Sequence, residues 1–479
     1  MRNVIWLGLA VAVAQSAAAQ EVTAAPALRQ LPVQAQAGFK DLACEPQARA
    51  RRSTAAPNPD PMEMPHPDMH PMPAKRVAQA GVAEAVSAPR GMLPPSFRPN
   101  FPGQPYRMAI WGDSHLAAGF FTDELVKQLN VPGEAVSNVL LPANMGKAGV
   151  RLPIRRSCVS SQWKYEPGYL GRDNTTAPGP GLMNMYSDQP GSTLAWDVRS
   201  DVKVPGHERV RILYQQTDAP IGLAISVDGG AEQPVMLDER AGPAVLELLA
   251  EQPISQIRLR LVSGALRFQG LELASRQAHP FEIDVFGYPG ATVAGWKSAD
   301  LDYLRHWFVQ RPYQLVMLEF GTNEGNVAPF NLDAYRNTLT ESVRNMRAIF
   351  PTATCMLIAP GDRGVLVPRS ANIRAKDKKS RAAAARQRKA KGAQIDLLQY
   401  SRIHADIGRV QAEVAQAAGC SAWSMQDAMG GQGKAYEWAR QSPALMAKDL
   451  IHFTVAGYHR LAQQFFKDMG WTPLPAAKE

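Results

Sequence analysis

The chain reads as an α/β protein, with a parallel sheet covered on both faces by helices and an antiparallel β-sandwich inserted into it. Three observations predict this. From Tyr106 to Trp471, apolar runs of strand length alternate with amphipathic stretches, as in a covered parallel sheet. From about Leu182 to Ser275 that texture gives way to short alternating runs divided by turn residues such as Asp228-Gly229-Gly230. The 479 residues, 45% hydrophobic and 20% charged, suffice for two or three soluble globular domains.

The elements follow in order. Arg2 begins a short positive segment, Val4 to Val13 are apolar, and Ala17-Ala18-Ala19 offers small residues for cleavage before Gln20. Residues 1–19 thus read as a secretory signal peptide, with an uncleaved anchor as the alternative. Residues 20–100 are rich in alanine, proline and glutamine without a hydrophobic period, and read as a disordered tether. Within it, Met62 to Met72 interleaves methionine, histidine and proline. Such side chains bind copper, but a proline-rich spacer has no preorganised geometry, and the extended-spacer reading is preferred. No later segment is apolar enough to span a bilayer.

Tyr106 to Trp111 reads as a buried strand, Gly112-Asp113-Ser114 as a turn, and Thr122 to Leu129 as a helix. The insert follows, with strands at Leu194–Val198, Val210–Tyr214, Gly222–Val227, Ala244–Leu248 and Ile257–Leu261. Glu282–Gly287, Leu315–Phe320, Thr354–Ala359 and Cys420–Met425 read as further strands of the parallel sheet. Asp333–Phe350, Ile403–Ala418 and Thr454–Met469 read as its helices. Domain limits are set at 101–181 with 279–475 for the sheet-and-helix domain, and 182–278 for the β-sandwich.

The net charge of +9 favours anionic surfaces or polymers in general. The run from Arg374 to Lys391 concentrates it, and reads as a solvated face or a patch gripping an anionic polymer. No aromatic residue is interleaved to stack bases, so nucleic acid is not the expected partner. Cys44, Cys158, Cys355 and Cys420 allow three disulfide pairings. Cys355 and Cys420 each open an apolar run, so a bridge between neighbouring strands is one reading and buried free thiols the other. Their spacing does not suggest a zinc site, and no cofactor or metal is expected.

Three blocks carry chemistry: Trp111-Gly112-Asp113-Ser114-His115, Phe320-Gly321-Thr322-Asn323-Glu324 and Asp449-Leu450-Ile451-His452. A serine hydroxyl becomes a useful nucleophile when a base takes its proton, and Ser114 sits on a turn after a strand where it can be presented. His452 is the candidate base. Asp449, three residues earlier, can fix its tautomer and stabilise the imidazolium. The Asn323 amide, the N–H of Gly290 in Tyr288-Pro289-Gly290-Ala291-Thr292 and the N–H of Ser114 can donate to an oxyanion.

Together these blocks resemble the SGNH (GDSL-type) hydrolase superfamily, with Ser114, Gly290, Asn323 and His452 in the order of its four signature residues and Asp449 as the triad acid. Gly-Asp-Ser-His, Gly-Thr-Asn-Glu, Ala359-Pro360-Gly361-Asp362-Arg363, Met429-Gly430-Gly431-Gln432-Gly433 with Trp438, and the β-rich insertion resemble the bacterial peptidoglycan O-acetylesterase branch. The resemblance spans Tyr106 to Trp471. It implies a three-layer α/β/α SGNH-hydrolase fold with a carbohydrate-binding-module-like insert. It also implies metal-free removal of acetyl groups from a glycan, with Ser114, Asp449 and His452 as the triad and Ser114, Gly290 and Asn323 as the oxyanion hole. Asp113 and His115 are then expected to hold the turn. The expected setting is the bacterial periplasm or exterior, and the expected partner an acetylated glycan polymer, such as peptidoglycan or an exopolysaccharide like cellulose, with or without a cell-wall or secretion assembly. A polysaccharide O-acetyltransferase would use the same triad, since exclusion of water at the acceptor site decides between them. A non-catalytic glycan-binding scaffold is the rival of another class, and a lipase is disfavoured by the lack of a clear lid or interfacial helix.

Overall fold

Along the strand beginning at Tyr106, alternate side chains belong to two different cores. Met108 and Ile110 join one hydrophobic cluster, Ala109 and Trp111 the other. A strand apolar on both faces has to be covered on both, and the computed structural model shows how. It describes residues 24–44, 106–131, 136–137, 140–143, 149–172, 177–201, 203, 205–274, 281–326, 328–366 and 396–473. The Met62–Met72 run, the Arg374–Lys391 run and the signal-peptide segment lie outside these residues.

The central sheet has six strands: β1 (Tyr106–Gly112), β2 (Val136–Ser137), β3 (Phe281–Gly287), β4 (Leu315–Glu319), β5 (Thr354–Ala359) and β6 (Ser421–Ser424). Their spatial order is β6-β5-β4-β1-β3-β2, with every pair parallel. Six helices matter here: α1 (Ser114–Ala117), α2 (Phe120–Gln128), α3 (Leu301–Phe308), α4 (Leu332–Ile349), α5 (Gln399–Ala417) and α6 (Val455–Asp468). On one face, Phe121 and Leu125 of α2 pack with Leu461 and Phe465 of α6 over Met108, Ile110, Met317 and Met356. On the other, α3, α4 and α5 bring Phe308, Val343, Met346 and Val410 against Trp111, Val316, Leu318 and Leu357. Trp111 lies within 6.4 Å, between ring centroids, of Phe286, Trp296, Phe308, Tyr313 and Phe350. Its Nε1–H donates to the Pro180 carbonyl at 3.0 Å. Burying such a ring contributes roughly 2–3 kcal/mol, which anchors the strand that ends at the Ser114 turn. The three-layer α/β/α expectation is met.

Twelve strands form two further sheets, of seven and five strands. They enclose their own core, which includes Trp196, Tyr214, Leu246, Leu259 and Phe268. Two sequence-based limits need correction. The sandwich does not begin at Leu182, because Leu140–Pro142, Arg156–Val159 and Lys164–Glu166 already pair with its strands. These strands are three or four residues long, too short to show a period. The segment 20–100 is also not a tether throughout. Ala27–Pro32 forms an edge strand parallel to Gly242–Ile254, with Ala27 and Leu31 packed on the sandwich core, and a disulfide ties Cys44 to Cys158. Backbone pairing holds this segment despite its low hydrophobicity. The second disulfide joins Cys355 of β5 to Cys420, next to β6, the neighbouring-strand bridge that was one of two readings.

A polar chain fixes the sandwich to the central sheet. Arg211 donates to Glu247 at 2.6 Å and to Glu272 at 3.2 Å. Glu272 accepts from Arg311 at 3.1 Å, and Arg311 reaches Asp284 of β3 at 2.9 Å. The other Asp284 oxygen accepts from the N–H of Leu140 at 2.8 Å. Hydrogen bonds to charged partners in a half-buried setting constrain orientation more firmly than exposed pairs.

Candidate active site

Three strand ends are aligned in register: Gly112 of β1 pairs with Glu319 of β4 and with Gly287 of β3. The loops that leave them therefore emerge side by side at the carboxyl edge of the sheet, where open α/β folds place their sites. They carry Ser114, Gly290 and Asn323. Ser114 opens the four-residue helix α1, whose N-cap is Asp113: its Oδ1 accepts from the N–H of His115 at 2.9 Å. Gly112 leaves no room for a side chain. A Cβ there would lie 2.6 Å from the Glu319 carbonyl oxygen, from Glu319 Oε2 and from Leu116 Cδ1. The turn is thus packed tightly from beneath.

The fourth segment arrives from the far end of the chain. Asp449 Oδ1 accepts from the N–H groups of Ile451 and His452, both at 2.9 Å, which folds the loop before α6. Its Oδ2 accepts from His452 Nδ1 at 2.7 Å, and His452 Nε2 faces Ser114 Oγ at 2.9 Å. The cap of α6 is Thr454, which accepts from Gly457 N–H at 3.2 Å, so Asp449 is not committed to helix capping. The three residues read from the sequence as a triad are therefore connected in one hydrogen-bonded line. The His452 and Asp449 side chains remain 35% and 32% exposed, open to solvent and to a ligand.

Electrostatics favour a basic imidazole. Burial pulls the His452 imidazolium down, but the hydrogen bond and charge of Asp449 outweigh it and raise it above the ordinary histidine range. Burial pushes Asp449 upward, and its bonds to His452 and the loop N–H groups bring it below the usual carboxylate range. His115 sits beside His452, ring centroids 5.5 Å apart, and desolvation keeps it neutral well below ordinary histidine. Its Nδ1 lies 3.2 Å from the Tyr458 hydroxyl.

Gly290 has φ +85°, and a Cβ there would meet nothing within 4 Å, so its backbone borders open space. One N–H of the Asn323 amide donates to the Ala291 carbonyl at 2.8 Å, leaving the other for a ligand. That bond ties the Gly290 and Asn323 loops together. Glu324, which the sequence reading left without a role, does so again: its Oε1 accepts from Val293 N–H at 2.8 Å and its Oε2 from Gly321 N–H at 3.1 Å. Burial raises its pKa to about 7. Its signal in the sequence was the acidic residue after Asn323. Asp362 is a second such hub. It accepts from Ser401, from Gln426 at 2.8 Å and from the Ala435 N–H at 2.7 Å, while the next two residues lead to a Gly364 N–H bond with Leu450 at 3.0 Å. A loop rich in glycine and proline gave no hint of that role.

The arrangement can remove a proton from a hydroxyl, return it to a leaving group and stabilise an oxyanion. The sequence profile of the GDSL-like Lipase/Acylhydrolase family matches residues 264–460. This stretch is thus similar to GDSL-type acylhydrolases, which supports an esterase activity. The matched span holds Gly290, Asn323, Asp449 and His452, and Ser114 lies before it. Among solved structures, one described as a peptidoglycan O-acetylesterase is 20% identical with a TM-score of 0.53, over 77% of this chain and 92% of that one, which establishes a shared fold. A family two carbohydrate esterase from Cellvibrio japonicus is 13% identical with a TM-score of 0.21, over 66% of this chain and 98% of that one. No curated protein matches the chain.

Proposed function

We propose that this protein is an exported serine esterase that removes O-acetyl groups from a cell-wall or extracellular polysaccharide, with peptidoglycan as the first candidate. The observation that carries the proposal is the line from Asp449 through His452 to Ser114 Oγ, at 2.7 and 2.9 Å, on the sheet edge that also bears Gly290 and Asn323. Ser114 Oγ attacks the acetyl carbonyl while His452 takes its proton. The oxyanion accepts from the N–H groups of Ser114 and Gly290 and from the Asn323 amide. His452 then protonates the departing sugar oxygen. Water, activated by the same imidazole, releases acetate and restores Ser114. Asp449 holds the imidazole tautomer throughout. The half-exposed triad admits water to the acetyl-enzyme, which favours hydrolysis over transfer to a second sugar.

Two features support the setting. The leader pattern of residues 1–19 and two disulfides suit an oxidising compartment outside the cytoplasm. The solved peptidoglycan O-acetylesterase shares the fold across most of both chains and points to the substrate class, and the β-sandwich is proposed to help hold the polymer. The test is acetate release from O-acetylated peptidoglycan and from an acetylated exopolysaccharide, with Ser114→Ala as control. Release that depends on Ser114 supports the esterase, and the faster polymer identifies its substrate. A wild-type protein that consumes neither polymer nor a small acetyl ester would overturn the reading.

A further inference from the structure

We propose that Asp113 and Glu319 hold one proton between them, and that Glu319, as the neutral partner, is a positioning residue for the turn presenting Ser114. This rests on the reading of Ser114 as nucleophile, and it concerns two carboxyls which that reading leaves unused.

Glu319 ends β4 on the face covered by α2 and α6, where Leu315 and Met317 of the same strand are core residues. Instead of reaching water, its carboxyl folds back over Gly112 and accepts from the N–H of Asp113 at 3.1 Å. Glu319 and Asp113 are both fully buried. The bond from Asp113 N–H to Glu319 Oε2 sets the two side chains next to one another. Asp113 Oδ1 is occupied by the His115 N–H, whereas Asp113 Oδ2 and Glu319 Oε1 make no hydrogen bond of ordinary geometry among the described residues, the buried Thr322 hydroxyl beside Asp113 included. A carboxylate oxygen only accepts. Two of them, buried and facing each other, are satisfied when one carries a proton and donates it to the other. Two adjacent buried charges would repel, and among the described residues no lysine or arginine is paired with either to offset them.

The groups facing the pair are His115 from α1, Thr322 and Glu324 from the loop after β4, Tyr458 from α6, and His452 from the acid–base loop. His115 is held neutral by burial and supplies no countercharge. Desolvation raises Asp113 to about 6 and Glu319 well above the ordinary carboxyl range; the Asp113 charge pushes Glu319 further up, while the Glu319 carboxyl pulls Asp113 down, as a donor to it would. Both groups are raised over their unfolded values. The stability they contribute is therefore complete below the ordinary carboxyl range and is lost as pH rises through the folded values. Loss of the last proton places two charges under the nucleophile turn, and the turn opens.

The conservative variant separates this from ordinary packing. Glutamine at 319 can accept from Asp113 N–H and donate to Asp113 Oδ2 without a titrating proton. Kinetics on a small neutral acetyl ester should show wild-type kcat falling on the alkaline side. Glu319→Gln should stay within about threefold of wild type at neutral pH and lose that alkaline fall, while Glu319→Leu drops about tenfold or more at every pH because the turn is no longer held. Infrared difference spectra provide a readout independent of activity: at neutral pH the wild type should show a protonated-acid carbonyl stretch that Glu319→Gln lacks, over and above the contribution of Glu324, which both proteins share. An alkaline limb unchanged in Glu319→Gln, or no protonated-acid band lost on that substitution, overturns the proposal. An ester that wild type does not cleave would defeat the esterase reading, while the infrared band would still decide where the proton lies.

Discussion

Asp449→Asn is the substitution whose consequence follows most directly from the geometry. Asp449 makes three hydrogen bonds: Oδ1 to two loop N–H groups at 2.9 Å, and Oδ2 to His452 Nδ1 at 2.7 Å. Asparagine can keep the loop bonds with its carbonyl oxygen. Its amide nitrogen then faces Nδ1 and donates, which moves the imidazole proton to Nε2. That proton points at Ser114 Oγ, 2.9 Å away, and the imidazole can no longer accept the serine proton. In serine hydrolases of this kind the wrong tautomer costs about 10⁴-fold in kcat, or some 5 kcal/mol of transition-state stabilisation. Stability should change by less than about 1 kcal/mol, since only one of three bonds is altered in kind. The acidic limb of kcat/KM should also move. In wild type His452 is raised above the ordinary range, so activity falls off in acid above that range; without the Asp449 charge the limb of the residual activity shifts to lower pH. Steady-state kinetics on a small acetyl ester across pH, with thermal melting alongside, measure all three. A kcat loss below about tenfold, or an acidic limb that stays in place, would refute the assignment of Asp449 and His452.

Other perturbations give equally specific outcomes. Asn323→Ala removes an oxyanion donor and the 2.8 Å bond to Ala291, so kcat should fall about 10²–10³-fold with KM little changed, measured by steady-state kinetics. Gly112→Ala places a Cβ 2.6 Å from two Glu319 oxygens and Leu116, costing about 1–3 kcal/mol in urea unfolding and displacing Ser114, with kcat down as much as about 10²-fold. The Cys355–Cys420 bridge closes a separation of 65 residues and should contribute about 4 kcal/mol, seen as a lower unfolding midpoint in Cys355→Ala/Cys420→Ala.

The parts of the molecule legible in the sequence are those governed by local pattern. The strands ending at Gly112, Glu319 and Ala359 announce themselves as apolar runs because both faces of a covered parallel sheet exclude water. The helices α4, α5 and α6 show as apolar stripes, within about four residues of their observed ends. Ser114, Asp449 and His452 could be picked out because each adjoins an element boundary that exposes it. Long-range pairing hid the rest. Ala27–Pro32 is a strand by virtue of a partner more than two hundred residues away, and four sandwich strands of three or four residues lie below the length at which alternation is visible. Glu324 and Asp362 were read as motif letters, and their work as acceptors bridging loops depends on backbone N–H groups that no pattern of side chains records. Glu319 did leave a trace, as the charged residue at the end of Leu-Val-Met-Leu-Glu, and its partner emerged only when β1 and β4 were set side by side.

The central claim is that Ser114 forms a covalent acetyl intermediate. The most direct measurement is acid-quenched turnover of a small acetyl ester followed by mass spectrometry of the peptide containing Ser114. This peptide should gain one acetyl group during turnover, the adduct should accumulate in His452→Ala treated with an activated acetyl ester, because the base for deacylation is gone, and it should be absent from Ser114→Ala. Turnover with no adduct on Ser114, or an acetyl group carried by another residue, would contradict it.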